Sequence, residues 1–241
     1  MTTSAPRVLI VQHEDSVSPD LAGARLAAAG VETTTAGPAW VPQDSRDFDG
    51  VLVLGGTMGP TDDEAAPWLP AVRHLIRDAV DTDTPLLGLC LGAQLLAEST
   101  GGRVHVNPRG PEVGVHDVAF APEASGDPLF GRFAGTQATA VEFHWLEVAE
   151  LPAGAVNLAG NAHSAQQAFR VGRNAWGTQF HPEALADTVD RWAHSHADLA
   201  SQAEEITARA RALEPELAER WAGLFDAWIG VVAKRSADAD R

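Results

Sequence analysis

The alternation of short apolar runs with amphipathic stretches constrains the fold of this chain more than any other feature. Three runs, Arg7–Val11, Gly50–Leu54 and Pro85–Leu89, are continuous and rich in Val, Leu and Ile. Such runs are typical of strands buried on both faces of a parallel sheet. Between the second and third runs, Pro67–Val80 carries apolar side chains three and four residues apart, as a helix with one buried face does. This order predicts an α/β fold with an open, mostly parallel sheet flanked by helices.

The pattern changes after residue 102. Short strand-like segments are then separated by Gly, Pro and Asn, which predicts an antiparallel extension of the sheet. The segments are Val104–Val106, Val113–Phe120, Thr139–Phe143, Ala155–Leu158, Gln166–Val171 and Ala175–Phe180. After Glu183 the sequence predicts helices, including Leu199–Leu213 and an amphipathic Pro215–Val232. We expect an α/β domain over residues 1–195 and a C-terminal helical extension over 196–241, packed on this domain or on a partner.

Composition excludes several classes of function. The chain has 241 residues, with 17 basic and 33 acidic side chains and a formal net charge of −16. Such an acidic surface repels phosphate backbones and anionic lipid, so we expect neither a nucleic-acid nor a membrane partner. The apolar stretch Val8–Val11 is too short for the ~7–15 residue core of a signal peptide, and no run approaches the ~18 residues of a membrane span. We therefore expect a cytoplasmic protein.

The only cysteine, Cys90, lies in the strongest local motif. It sits between Gly88 and Gly92, where an apolar strand ends and a helix is predicted to begin at once. This is the setting of a nucleophile elbow, in which flanking glycines leave room for a strained turn that exposes the nucleophile. The N-terminus of the following helix stabilises a thiolate. The competing interpretation, a small buried hydrophobic side chain, fits most lone cysteines but not one between two elbow glycines.

Two further motifs complement this elbow. In the segment 176–183, WGTQFHPE, a predicted strand delivers His181, and Glu183 follows two residues later. A carboxylate at that distance can orient an imidazole whose other nitrogen faces a thiol. In the segment 51–59, VLVLGGTMG, a glycine turn follows a buried strand and can present backbone N–H groups to an oxyanion.

In their sequence and order, the motifs GGTMG, GLCLGAQ and QFHPE resemble those of the class I, triad-type glutamine amidotransferases. The similarity extends from about Arg7 to His194. It is greatest to stand-alone members similar to the amidotransferase part of GMP synthase, and the γ-glutamyl peptidases of this group are also similar. The resemblance implies a flavodoxin-like α/β core and a substrate that is glutamine or a γ-glutamyl compound. It also implies that a separate synthase subunit can receive the released ammonia.

The resemblance also implies roles for individual residues. Cys90 would be the nucleophile, His181 the general base and then acid, and Glu183 the residue that orients His181. The backbone N–H groups of Gly56 and Leu91 would form the oxyanion hole. These groups would suffice to cleave the γ-amide of the substrate, so the resemblance implies neither a metal nor an organic cofactor.

Two side chains correspond to substrate-binding positions. Gln94, one turn into the elbow helix, matches a position that lines the glutamine pocket. His144, within FHWLE, matches the histidine of a further pocket segment. The His and Asp that follow it in close relatives appear here as Leu146 and a shifted Glu147 or Val148. The remaining histidines lack the spacing of metal ligands, so we expect no metal site.

Two alternatives remain open from the sequence. The first is an α/β-hydrolase with a cysteine nucleophile that acts on esters, in which the acid lies between the nucleophile and the histidine. Asp117 and Asp127 lie in that interval, but neither is at a clean strand end, and Glu183 remains the better acid. The second is a non-catalytic regulatory protein that keeps the fold and acts through its helical tail. Turnover of esters but not glutamine would favour the first, whereas a Cys90 thiol inert to glutamine-analogue electrophiles would favour the second.

Overall fold

The computed structural model describes residues 4–239, which form a three-layer α/β structure around a nine-stranded sheet. The strand order is β2-β1-β3-β4-β11-β10-β9-β6-β7. The strands of this sheet are β1 (Arg7–Val11), β2 (Glu32–Ala36), β3 (Gly50–Val53), β4 (Leu86–Leu89), β6 (Glu112–Phe120), β7 (Gln137–His144), β9 (Val156–Gly160), β10 (Ala168–Val171) and β11 (Ala175–Thr178). A separate ribbon pairs β5 (Arg103–Val106) with β8 (Leu146–Glu150).

The sheet has a parallel part and an antiparallel part. From β2 to β11 all neighbouring strands are parallel, and from β11 to β7 all are antiparallel. The predicted open sheet with an antiparallel extension is thereby confirmed. The expectation that Val104–Val106 joins this extension is wrong, because β5 pairs with the unpredicted strand β8.

Both faces of the parallel part are covered by helices. The helices are α1 (Asp20–Ala28), α2 (Leu69–Asp81), α3 (Leu91–Ser99), α4 (Ala186–Ser195) and α5 (Ala203–Ala239), with short 3₁₀ turns at Pro122–Gly126, Gly131–Phe133 and Ala197–Leu199. Successive strand residues alternate between the two core clusters. Leu9 faces the cluster that contains α2 and α3, whereas Val8 and Ile10 face the cluster that contains α1, α4 and α5. This double burial explains why β3, β4 and residues 8–11 of β1 carry no polar side chain, whereas Arg7 and most of β2 are exposed.

Helix α5 is one continuous helix where the sequence predicts two. It runs through Pro215, although a proline removes one backbone hydrogen bond and typically costs about 3 kcal/mol inside a helix. Apolar side chains on both sides of the proline, among them Ile206 and Trp221, belong to the same core cluster. We attribute the continuity to this burial, which offsets the loss.

The same helix lies directly on the sheet. A Cβ atom at Gly50 in β3 would lie only 2.6 Å from a methyl carbon of Val232 and 3.4 Å from the Trp228 ring. The helix also contacts α1, α4, β6 and β7. None of the helices in residues 4–239 combines the length and the apolar character that crossing a bilayer requires.

Candidate active site

Cys90 occupies a sharp turn between β4 and α3. Its backbone dihedrals are φ 50° and ψ −104°, which a residue with a side chain rarely adopts. A Cβ atom at Gly88 would lie 2.5 Å from the backbone of Gly92, and one at Gly92 would lie 2.2 Å from the carbonyl oxygen of Val53. Both flanking glycines are therefore required by close backbone contacts, as the elbow motif predicts.

The parallel pairing of β4 with β11 brings the second motif to the same edge of the sheet. Leu89 is paired with Thr178, and the Cys90 N–H donates to the Thr178 carbonyl at 2.7 Å. Three residues further on, the His181 N–H donates to the carbonyl of Val141 in β7 at 2.8 Å. Residues far apart in sequence thus meet at the carboxyl end of the strands, where ligands bind in open α/β sheets.

His181 is held between a carboxylate and the thiol. Its Nδ1 lies 2.7 Å from Oε1 of Glu183, and both side chains are buried. The ring lines the same cavity as Cys90. Burial of the ring opposes protonation, but the Glu183 carboxylate and the Cys90 sulfur outweigh it and hold the pKa of His181 well above its usual range. This arrangement can move a proton between sulfur and substrate.

Two glutamine side chains extend this group. Gln179, within the QFHPE motif, directs Nε2 toward the Cys90 sulfur at 3.6 Å. Gln94 Nε2 donates both to the Leu146 carbonyl and to Oε1 of Gln179, each at 3.2 Å. Because both amide hydrogens of Gln94 are used within the protein, its carbonyl oxygen is the atom that it can offer to a ligand.

The glycine turn after β3 lies against the elbow, because a Cβ atom at Gly56 would lie 2.8 Å from a methyl carbon of Leu91. A Cβ atom at Gly55 would lie 3.0 Å from Cε1 of His181, so the turn approaches the imidazole closely. Gly56 lines the cavity beside Cys90, whereas the next N–H, that of Thr57, already donates to the Glu14 carboxylate at 2.7 Å. Leu91 is the first residue of α3, where a backbone N–H has no partner within the helix. Of the two predicted oxyanion donors, Gly56 thus lines the cavity with Cys90, and Leu91 directly follows Cys90 at the start of α3.

His144 also borders the cavity, but both ring nitrogens face protein atoms. Nδ1 lies 2.8 Å from the Leu146 carbonyl, and Nε2 lies 3.2 Å from a carboxylate oxygen of Glu112 and 3.2 Å from one of Glu142. The β6–β7 register explains the cluster, since Glu112 is directly opposite His144 and Glu142 precedes it by two residues on the same face. His144 therefore presents no free ring nitrogen to a substrate in this arrangement.

The protonation states in this cluster depend on one another. Burial lowers the tendency of His144 to protonate, but Glu112 and Glu142 outweigh it and raise the pKa of His144 to about 10. Burial raises the pKa of Glu142, whose side chain is completely enclosed, and so favours its neutral form. The ligand-type atoms of the three side chains lie within 4.8 Å of one another, so the cluster could hold a metal ion. A protonated His144 supplies one positive charge to the same carboxylates.

A cavity of about 330 Å³ opens above Cys90 and His181. One side carries four aromatic rings, which we call the aromatic wall: Phe143, Trp145, Trp192 and His196. The Trp192 ring centroid lies 4.6 Å from that of His181, and its indole N–H donates to the Ser16 carbonyl at 3.1 Å. The wall therefore adjoins the proposed general acid.

Sequence reasoning did not identify the wall, Gln179 or the two carboxylates around His144. Gln179 lies within the QFHPE motif but has no pattern of its own. Glu142 gives a usable signal, because it is a carboxylate within the otherwise apolar run Ala140–Phe143. Trp192 lies on α4 and His196 just after it, and only the folded chain places them at the cavity.

The chain is similar in sequence and fold to several known proteins. A model of the family "Glutamine amidotransferase class-I" matches residues 11–192. One subunit of the glutamine-hydrolyzing GMP synthase of Natronomonas pharaonis is 35% identical over 59% of this chain and 70% of its own length. Gamma-glutamyl peptidase 4 of Arabidopsis thaliana is 27% identical over 62% of this chain and 61% of its own length. A crystal structure of a glutamine amidotransferase from Methylobacillus flagellatus superposes with a TM-score of 0.83 at 29% identity, covering 95% of this chain and 96% of the other.

The chain belongs to the class I glutamine amidotransferase family. Its fold is that of the family's solved structures, as the resemblance implied. The named relatives support hydrolysis of glutamine or γ-glutamyl amides in general terms.

Proposed function

We propose that the protein hydrolyses the γ-amide of glutamine or of a γ-glutamyl compound through a thioester on Cys90. The observation that carries the proposal is the meeting of a cysteine in a strained elbow with a buried histidine whose Nδ1 is 2.7 Å from a carboxylate. Cys90 is the nucleophile, His181 the general base and acid, and Glu183 the orienting carboxylate. This division of roles is that of a catalytic triad.

The chemistry proceeds in two halves. The Cys90 sulfur attacks the amide carbon as His181 takes the thiol proton, and the C–N bond breaks as His181 returns that proton to the departing nitrogen. Water then attacks the thioester, assisted by His181, and releases glutamate and the free thiol. The backbone N–H groups of Gly56 and Leu91 stabilise both tetrahedral oxyanions, and losing one such donor typically costs about 3–4 kcal/mol of barrier.

Gln94 fits the recognition of the glutamyl part. Its carbonyl oxygen is free to accept from an ammonium group, because its own amide hydrogens are bound to Leu146 and Gln179. For His144 the geometry favours an indirect role, since its nitrogens contact Glu112, Glu142 and Leu146. We propose that His144 fixes the end of β7, and with it the backbone that forms one side of the pocket.

The proposal is tested by measuring glutamate and ammonia release from glutamine and from γ-glutamyl amides. Wild-type protein should release both products, and Cys90→Ala should release neither while keeping the wild-type melting temperature. Intact-protein mass spectrometry of acid-quenched wild type should show a γ-glutamyl adduct that Cys90→Ala lacks. Full turnover by Cys90→Ala would show that the nucleophile is assigned wrongly.

The fate of the ammonia separates two versions of this function. The name of the Natronomonas relative marks it as one part of a synthase made of several chains. We propose that a separate synthase subunit receives the ammonia if turnover by the isolated protein is slow and lysate of the source organism stimulates it. A rate that lysate leaves unchanged identifies a free-standing γ-glutamyl amide hydrolase. In both versions, we place catalysis in the α/β domain, residues 1–195, and assign the extension 196–241 to its support.

A further inference from the structure

The cavity extends beyond the atoms that glutamine hydrolysis needs. When glutamine is the substrate, the leaving group is ammonia, which requires little room beside the acid. Here the space beside His181 is bordered by the aromatic wall and by helix α4. Because His181 protonates the departing nitrogen, this is the side on which the amine part of a substituted amide would lie.

The aromatic wall is arranged to accept another flat or apolar group. Its inner members, Phe143 and Trp192, are buried and lie 5.4 Å apart between ring centroids. Its outer members, Trp145 and His196, are stacked at 4.8 Å and remain half-buried. Trp192 is further fixed by its hydrogen bond to Ser16. A rigid wall with exposed ring faces at its outer end binds aromatic and large apolar groups at small entropic cost.

One cation stands at the edge of this wall. Arg191 precedes Trp192 on α4 and also lines the cavity. Its guanidinium donates to the Thr188 hydroxyl at 2.6 Å, and among residues 4–239 no carboxylate is close enough to pair with it. A guanidinium in this state is suited to bind a carboxylate of the ligand.

No negative side chain opposes Arg191 at the cavity surface. Among the residues that the structure describes, those lining the cavity include no aspartate and no glutamate. The carboxylates of Glu183, Glu112 and Glu142 offset the positive charges of His181 and His144. Arg191 is therefore the charge at the outer cavity that favours an anionic group.

We propose that the wall and Arg191 form a subsite for the amine part of the substrate, and that the preferred substrates are γ-glutamyl amides of aromatic or large apolar amino acids. This inference rests on the proposed function, because the amine leaves from the thioester-forming step at Cys90. The C–N bond breaks, the nitrogen takes the proton from His181, and the product is a free amino acid with an intact α-carboxylate. Arg191 binds that carboxylate, and the side chain lies on the wall.

The test compares four substrates on the purified protein: glutamine, γ-glutamyl-alanine, γ-glutamyl-phenylalanine and γ-glutamyl-phenethylamine, which lacks the carboxylate. We expect kcat/KM for the phenylalanine amide to exceed that for the alanine amide by roughly 3- to 10-fold through ring contacts. It should exceed that for the phenethylamide by about 10- to 100-fold through the charged hydrogen bonds.

Variants assign these preferences to residues. Arg191→Gln should reduce the ratio between the phenylalanine amide and the phenethylamide to about one, mainly by raising KM for the former. His196→Ala should reduce the ratio between the phenylalanine and alanine amides. Arg209→Gln is the matched control, because Arg209 is exposed on α5 and lies outside the cavity lining.

The outcomes separate this inference from the function on which it rests. If glutamine and all three amides are turned over with equal kcat/KM, or if glutamine is preferred to every substituted amide, the subsite is wrong and the hydrolase stands. If Arg191→Gln leaves the carboxylate preference intact, the role of Arg191 is wrong. If none of the four compounds releases glutamate, the proposed function itself fails. Because the substrate series needs only wild-type protein, misfolding of a variant does not remove the test.

Discussion

Two strand ends, those of β11 and β7, each bring a buried histidine to the same cavity, and the two histidines differ in what their nitrogens contact. His181 uses one nitrogen for Glu183 and faces the Cys90 thiol with the ring. His144 uses both, one for a backbone carbonyl and the other for two carboxylates. In both rings, carboxylates raise the pKa. A raised pKa alone therefore does not identify a catalytic histidine. What distinguishes the two rings is whether one nitrogen remains available to the thiol or the substrate.

The largest expected effect is the loss of activity on substitution of His181. His181→Asn removes the proton carrier, and we expect kcat for glutamine or γ-glutamyl amide hydrolysis to fall by about 10⁴-fold. The matched control is His74→Asn, because His74 is exposed on α2 and lies outside the cavity lining. Steady-state release of glutamate measures both variants. An active His181→Asn would mean that another group activates the thiol.

The second effect concerns stability at His144. His144→Gln leaves Glu112 and Glu142 buried without their shared cation, and breaking a buried ion pair in this way typically costs about 3–5 kcal/mol. Urea unfolding of the variant measures the loss. The double variant His144→Gln/Glu142→Gln removes the uncompensated carboxylate as well and should recover part of the loss. A double variant less stable than the single one would show that the two side chains do not act as a charge pair.

A third histidine, His13, makes the stability depend on pH, because its pKa is lowered and not raised. Burial of His13 lowers its pKa to about 4, from 6.5 in the unfolded chain. The unfolded state then binds the proton more readily, so stability is full above pH 6.5 and is lost as the pH falls toward 4. The expected loss at pH 4 is about 2–3 kcal/mol.

The variant His13→Asn checks this origin of the pH dependence. In the wild type the Trp68 indole N–H donates to His13 at 3.1 Å, and the side-chain oxygen of asparagine can still accept it. The free energy of unfolding of this variant should depend less on pH between 6.5 and 4 than that of the wild type. Identical slopes would exclude His13 as the titrating group.

The smallest effect comes from an exposed ion pair. Arg25 in α1 binds Asp226 in α5 through two hydrogen bonds of 2.8 Å, but both side chains are partly exposed. Water screens such a pair, so Arg25→Gln should cost less than about 1 kcal/mol in the free energy of unfolding. A loss as large as that of His144→Gln would contradict the contrast drawn between buried and exposed charges.

The parts of the fold that were predictable are those whose reasons are local. Burial on both faces keeps polar side chains out of β3, β4 and residues 8–11 of β1, and the elbow requires Gly88 and Gly92, so both features are visible in the sequence. Strand β8 was not predicted because only Trp145 separates it from β7, with no Gly, Pro or Asn to mark a turn, and because its partner β5 lies far earlier in the chain. The continuity of α5 through Pro215 also depends on tertiary burial, which no local pattern records.

The candidate site divides in the same way. Cys90, His181 and Glu183 were predicted because each lies in a short motif of fixed spacing. The proximity of Glu112 to His144 follows from the β6–β7 register, and that of Trp192 to His181 from the position of α4. Contacts of this kind depend on how distant segments are paired, so single-sequence reasoning could not reach them.

The position of α5 has a consequence for biosynthesis. Strand β3 is synthesised early in translation. Helix α5, whose Val232 lies against β3, leaves the ribosome only after every strand of the sheet. Until then the nascent sheet exposes the apolar surface that Trp221 and Trp228 later bury, a state prone to aggregation. Synthesis of α5, rather than emergence of the catalytic motifs, therefore sets the moment at which the native core can close.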